Sequence, residues 1–166
     1  ATHRKLGIPG EKEFTGRGVS YCGTCDGWFF KNKDIVVVGG GDSALEEGLF
    51  LTRFANSVTV IHRRDELRAG AILQKRAFSN PKVKFIWDTT VTEIQGDDAV
   101  QAVKLNNLKT GEEQIHETDG IFIFIGHKPN TEMFVGQLDL DNEGYIKTNK
   151  FMQTSIPGIY AGGEVA

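Results

Sequence analysis

Long apolar runs are missing from this 166-residue chain. None approaches the roughly 20 residues needed to cross a bilayer, and no signal-like apolar segment marks the N-terminus, so no membrane partner is expected. Surplus positive charge is missing too. With 19 basic and 22 acidic residues and a formal net charge of −3, nothing points to nucleic acid as a partner. Cysteine is scarce: Cys22 and Cys25 are the only two. They cannot build a disulfide framework, and without a secretory signal the expected compartment is a reducing, cytoplasmic one. Histidine is equally thin. His3, His62, His116 and His127 show no zinc-finger spacing, and no bound metal is expected. What the chain does have in excess is glycine, 20 of its 166 residues, which marks places where backbone turns sharply or approaches a ligand closely.

The two cysteines form one C-x-x-C, in Tyr21-Cys22-Gly23-Thr24-Cys25-Asp26-Gly27. Such a pair is half a zinc site, a redox dithiol, or a reduced pair with no role. The redox reading has specific chemistry behind it. Two intervening residues let the sulfurs close a small ring, and a helix N-terminus beginning there favours the thiolate. Asp26 follows directly, placed to pass protons to or from a thiolate.

Ile35–Val38 is a β-prone apolar run ending in Gly39-Gly40-Gly41. Residues 42–54 then carry apolar side chains at helical spacing, with Asp42 and Ser43 suited to the helix start. A second strand is expected at 57–61 and a helix over 65–79, stopped by Asn80-Pro81. Short strands follow at 83–87, 91–94, 100–105 and 113–117, and then a strand over 121–125 buried on both faces. A βαβ unit followed by a β-meander and a last buried strand predicts a three-layer (ββα) Rossmann-like α/β nucleotide-binding domain. Lys128-Pro129-Asn130 marks the expected boundary. Beyond it come a weak hairpin at 144–147, a short apolar strand at 159–161, and little core-forming material.

Gly39-x-Gly41-x-x-Ala44 fits the G-x-G-x-x-G/A fingerprint in the strand–loop–helix context it requires. Gly39 permits the turn, Gly41 lets a pyrophosphate approach the helix N-terminus, and Ala44 allows close packing on the strand. Where an NAD site places an acid to hold the ribose, the second strand instead ends in His62-Arg63-Arg64, with Arg68 following. Guanidinium groups suit a phosphate monoester, which predicts NADPH over NADH. The competing reading is a solvated basic turn partly neutralised by Asp65 and Glu66.

The conjunction of C-x-x-C-D-G, the glycine loop and H-R-R-D-x-x-R resembles the low-molecular-weight thioredoxin reductases of bacteria and plants. The resemblance continues through Gly126-His127-x-Pro129-Asn130 and Thr154-Ser155-Ile156-Pro157-Gly158-Ile159-Tyr160-Ala161-x-Gly163, nearly the whole chain. It implies that Cys22 attacks the partner disulfide, that Cys25 faces a flavin, and that Asp26 is the acid–base residue. It implies an NADPH site at Gly39, Gly40, Gly41, Asp42 and Ser43 with His62, Arg63, Arg64 and Arg68. Glu46 falls where the nicotinamide end is contacted, Gly126 is a further cofactor-binding residue, and Glu164 lies on the flavin side, standing where the family has Asp. The implied activity is NADPH-dependent reduction of thioredoxin through FAD, in a homodimeric parent. On this reading residues 1–130 are the NADPH-binding, dithiol-bearing domain and 131–166 a remnant of an FAD-binding domain. The hinge strands would lie near Arg17-Gly18-Val19 and His127–Asn130. The lack of Met at position 1 reads as a cut inside a longer reductase, inactive without its FAD domain. Two alternatives stand beside this one: a stand-alone NADPH-binding or redox-sensing module, and another flavin-dependent disulfide reductase.

Overall fold

A computed structural model describes all residues, 1–166. The chain forms two compact units, residues 5–125 and residues 1–4 with 126–166. Residues 1–4 and 126–130, which the sequence grouped with the first domain, thus belong to the smaller unit. The reason is local: β1 (Thr2–His3) pairs antiparallel with β10 (His127–Lys128). The expected hinge at Arg17–Val19 is corrected as well. Val19 lies inside the larger unit, 2% exposed, in β2 (Val19–Ser20), which pairs with β9 (Gly120–Ile123) through Val19 and Ile121.

The larger unit is built on a five-stranded parallel sheet. Its order is β2, β9, β3 (Asp34–Val38), β4 (Ser57–Ile61), β5 (Val83–Ile86). Unbroken apolar strands of this kind stay stable only when both faces are covered. Val36, Val38, Ile61, Ile121 and Ile123 point to one face and pack against Val91, Ile94, Val103 and Leu105. Those residues come from an antiparallel meander of β6 (Thr89–Gly96), β7 (Val100–Asn107) and β8 (Glu113–Glu117). Ile35, Val37, Val58, Val60 and Phe122 point the other way. They pack on Ala44, Leu45 and Leu51 of α2 (Asp42–Leu51) and Ala77 of α3 (Ala71–Phe78). The result is meander, sheet, helices: the expected ββα order.

The helix expected over 65–79 begins only at Ala71. The N–H groups of Arg68 and Ala69 donate to Gly40 O at 2.8 and 3.2 Å, and the Gly70 N–H donates to Asp42 Oδ1 at 2.7 Å. Donors spent on a neighbouring loop cannot extend a helix backwards.

The smaller unit holds no further ladder. The segments expected as a hairpin and a terminal strand make only the single bridges Leu140–Ile146 and Gln153–Tyr160. Leu138 and Ile146 are buried, whereas Phe151, Met152, Ile159 and Tyr160 are exposed.

Gly120, at the start of β9, is packed against the Phe30 ring, where no methyl group fits. That ring stands edge-on to Phe122, centroids 5.0 Å apart. Overpacking a buried aromatic pair costs on the order of 2 kcal/mol, so Gly120→Ala should lower the urea midpoint accordingly with the m-value unchanged.

Candidate functional site: a disulfide and a glycine loop on one unit

Cys22 and Cys25 are joined as a disulfide across α1 (Gly23–Asp26). Cys22 is the extended N-cap, and its Sγ accepts the Cys25 N–H at 3.2 Å. A short helix set directly on α2 needs small residues beneath it. Gly23 faces Glu47 and Leu51 of α2, and a methyl group on Gly27 would stand 2.9 Å from Leu51 Cδ2. Glu47 Oε2, beside Gly23, is buried with no hydrogen-bond partner.

Ser20, at the end of β2, links the disulfide to Asp26. Its hydroxyl donates to Asp26 Oδ2 at 2.6 Å and accepts the Cys22 N–H at 3.1 Å. Asp26 also lines a cavity of about 360 Å³ with Arg17, Phe29, Lys33 and Asp119, so its carboxyl has a route to solvent protons. Trp28 and Phe29 follow at once, 63% and 71% exposed. The two adjacent rings make an exposed apolar patch next to the disulfide. Sequence reasoning passed over Ser20, Glu47 and this aromatic pair; only the Trp-Phe-Phe run after Cys-Asp-Gly hinted at the last.

The glycine loop stands at the C-terminal ends of β3 and β4. Gly39, at φ +151°, has no room for a side chain: a Cβ would meet Ala44 Cβ at 2.7 Å and overlap Phe124 O. Gly40 is pressed onto the His62 ring. Gly41 differs, since nothing lies within 4 Å of a Cβ placed there. It caps α2 without a side-chain hydrogen bond, so the first N–H groups of that helix face open space, as anion binding requires.

Residues 62–70 wrap beside this loop and leave Arg63, Arg64 and Arg68 exposed. The proposed neutralising acids do not serve them. Asp65 pairs with Lys109 at 2.8 Å, Lys109 also reaches Asp88 at 3.0 Å, and none of the three arginines is ion-paired. His62, by contrast, is 5% exposed, lies under Gly40, and has Nε2 3.1 Å from Glu66 O. It faces the loop from below. Ser43 and Glu46 are exposed on the first turns of α2. Gly126, at φ +103°, and the exposed Glu164 lie in the smaller unit.

A family model described as pyridine nucleotide-disulphide oxidoreductase matches residues 1–166. The chain belongs to the pyridine nucleotide-disulphide oxidoreductase family. Within that family it is 55% identical over 164 residues to a thioredoxin reductase of Streptomyces coelicolor, covering 98% of this chain and 51% of that protein. It is 57% identical over 166 residues to one from Listeria innocua, covering 99% and 52%. The crystal structure of Lactococcus lactis thioredoxin reductase superposes with a TM-score of 0.93 at 54% identity, over 99% of this chain and 55% of that one. The chain spans about half the length of the curated relatives it matches.

Burial, and then the surrounding arginines, push the His62 pKa below its ordinary value, so the folded state holds it neutral. The unfolded chain takes up the proton first, near pH 6.5. The stability His62 contributes is therefore present above that pH and lost as pH falls toward the folded-state value. His62→Gln should flatten the decline in urea midpoint between about pH 7 and pH 5. The half-buried His116, shifted the same way, is common to both proteins and cancels. Parallel curves would count against a neutral His62.

Proposed function

We propose that the protein carrying this chain is an NADPH-dependent thioredoxin reductase. The chain supplies the NADPH site and the redox dithiol, and FAD is held by the parent protein. The observation that carries the proposal is a disulfide flanked by exposed aromatics on the same unit as a glycine loop faced by unpaired arginines. The resemblance to proteins named thioredoxin reductase supports it.

The nucleotide fits the residues present. Gly41 offers open space over the start of α2 for a pyrophosphate, and Arg63, Arg64 and Arg68 are free for a 2′-phosphate. A flavin is different. Gly163 and Glu164, with Ile159 and Tyr160 nearby, are exposed, and this chain's residues do not enclose one. No flavin step follows from this chain alone, and on this reading the isolated 166 residues do not turn over. The larger unit is the proposed NADPH and dithiol domain, the smaller one a part of the flavin-binding domain.

When bound, the nicotinamide supplies two electrons as hydride. The Cys22–Cys25 bond accepts two electrons and one proton and breaks, leaving a thiolate and a thiol; Asp26, whose carboxylate accepts the Ser20 hydroxyl, is the group placed to relay that proton. Cys22 then attacks the partner's disulfide, forming a mixed disulfide and expelling one partner thiolate. Cys25 attacks Cys22 in turn, re-forming the intramolecular bond and releasing the partner as a dithiol once its two thiolates are protonated. Trp28 and Phe29 give that partner an apolar landing surface. A cytoplasmic, homodimeric parent, with no nucleic-acid or membrane partner, completes the proposal.

Two measurements test it. In the full-length protein Arg63→Ala with Arg64→Ala should remove most of a preference for NADPH over NADH, roughly tenfold or more in Kd ratio; equal affinity before substitution would refute the phosphate site. Cys25→Ser should trap a thioredoxin adduct on Cys22 that dithiothreitol releases, while Cys22→Ser traps none. Trapping by the second variant alone would reverse the assigned roles.

A further inference from the structure

Asp42 begins α2, where the dinucleotide fingerprint brings the pyrophosphate, and a carboxylate there is an unfavourable neighbour for an anion. Its geometry explains its presence. Asp42 Oδ1 accepts the Gly70 N–H at 2.7 Å across 28 residues of sequence. It works in a set. Gly40 O accepts the N–H groups of Arg68 and Ala69 at 2.8 and 3.2 Å, His62 fills the space beneath Gly40, and its Nε2 lies on Glu66 O. Gln74 Nε2 donates to Ala69 O at 2.7 Å from the first turns of α3. At the other end of the segment the N–H groups of Asp88 and Thr89 donate to Arg64 O and His62 O at 3.3 and 3.0 Å.

We infer that Asp42 is a specificity-determining positioning residue, not a nucleotide ligand: its hydrogen bond to Gly70 locks the arginine segment onto the glycine loop and so sets discrimination for the 2′-phosphate. This deepens the NADPH reading and rests on it. A flexible segment would present Arg63, Arg64 and Arg68 in many geometries, and ordering them would weaken phosphate binding. A segment latched at both ends presents them preorganised. Asp42 also stands where the fingerprint brings the pyrophosphate, so its removal changes the charge met by the 5′-phosphate, a change common to every ligand that carries one.

The discriminating probes are adenosine 2′,5′-bisphosphate and 5′-AMP, titrated calorimetrically into the full-length protein. They need no turnover and differ only in the 2′-phosphate. Asp42→Ala should cut the preference for the bisphosphate over 5′-AMP by about tenfold, the scale of one charge-assisted hydrogen bond; any change at the 5′-phosphate, which both probes carry, cancels in that ratio. Asp42→Asn keeps an oxygen acceptor for Gly70 and should retain most of the preference. Gly70→Pro attacks the bond from the other side: φ is −60° there, which proline accepts, and the substitution deletes the donor. It should reproduce the selective loss with Asp42 intact, and the double variant should be no worse than either single one.

Proportional weakening of both ligands by Asp42→Ala and Gly70→Pro, or no effect from either, would overturn the latch and leave the NADPH reading standing. The same loss from Asn as from Ala would also overturn it, since charge and not the hydrogen bond would then be responsible. An unsubstituted protein that binds both probes equally would bring down the NADPH reading and the latch together.

Discussion

The ladder joining β3 to β9 on one edge and to β4 on the other governs where chemistry can sit in this chain. Val36 pairs with Ile121 and Val37 with Phe122 on one side, and with Thr59 and Val60 on the other. A strand hydrogen-bonded along both edges and buried on both faces has no freedom to shift, since a one-residue slip would turn each side chain into the wrong core. The ladder's end is therefore fixed in space. The Gly39 N–H closes it on Ile61 O at 3.2 Å, and the chain leaves through a conformation with no room for a Cβ. The glycine loop is a consequence of how the sheet terminates.

The same ladder supports the dithiol from the opposite side of α2. That helix buries Ala44 and Leu45 on the sheet and offers Glu47 and Leu51 to Gly23 and Gly27 of the redox loop. One helix thus has the glycine loop at its N-terminus and the cysteine-bearing α1 packed beside its Glu47 and Leu51. Ser20, at the end of β2 in the same sheet, fixes Asp26 from the other direction. Both sites are held by elements that share a core, so their geometry is set by packing and not by the mobility of loops.

How much of this was legible in the residues depends on where each segment's hydrogen bonds go. Ile35–Val38 and the helix after it could be read directly, because an apolar run and a 3.6-residue period report local backbone structure. The C-x-x-C was legible as a cysteine pair, which the structure joins as a disulfide. The segment from 65 to 70 was not, because its helical pattern was overridden by donors committed to Gly40 and Asp42, residues more than 20 positions away. Ser20 was invisible for a similar reason: its role comes from the register of β2, which no local pattern reveals. The smaller unit's strands failed to form because a β-prone run needs a partner edge as well as propensity. Ile159 and Tyr160 find only one bridge.

Charge placement connects these observations. The chain is acidic overall, yet the rim of the glycine loop presents arginine. It does so because nearby carboxylates are occupied: Asp42 with the Gly70 N–H, Asp65 and Asp88 with Lys109. The two ion pairs on Lys109 are weak as contributions to stability, since surface ion pairs are worth only a few tenths of a kcal/mol to about 1 kcal/mol. Their effect is better understood as removal of competitors. A guanidinium already paired with a carboxylate must break that pair before it can hold a phosphate, and the cost is deducted from affinity. By engaging the acids with Lys109 and a backbone N–H, the fold leaves Arg63, Arg64 and Arg68 unpaired. Net charge therefore says little about which anion such a surface selects; the partners assigned to its carboxylates decide it.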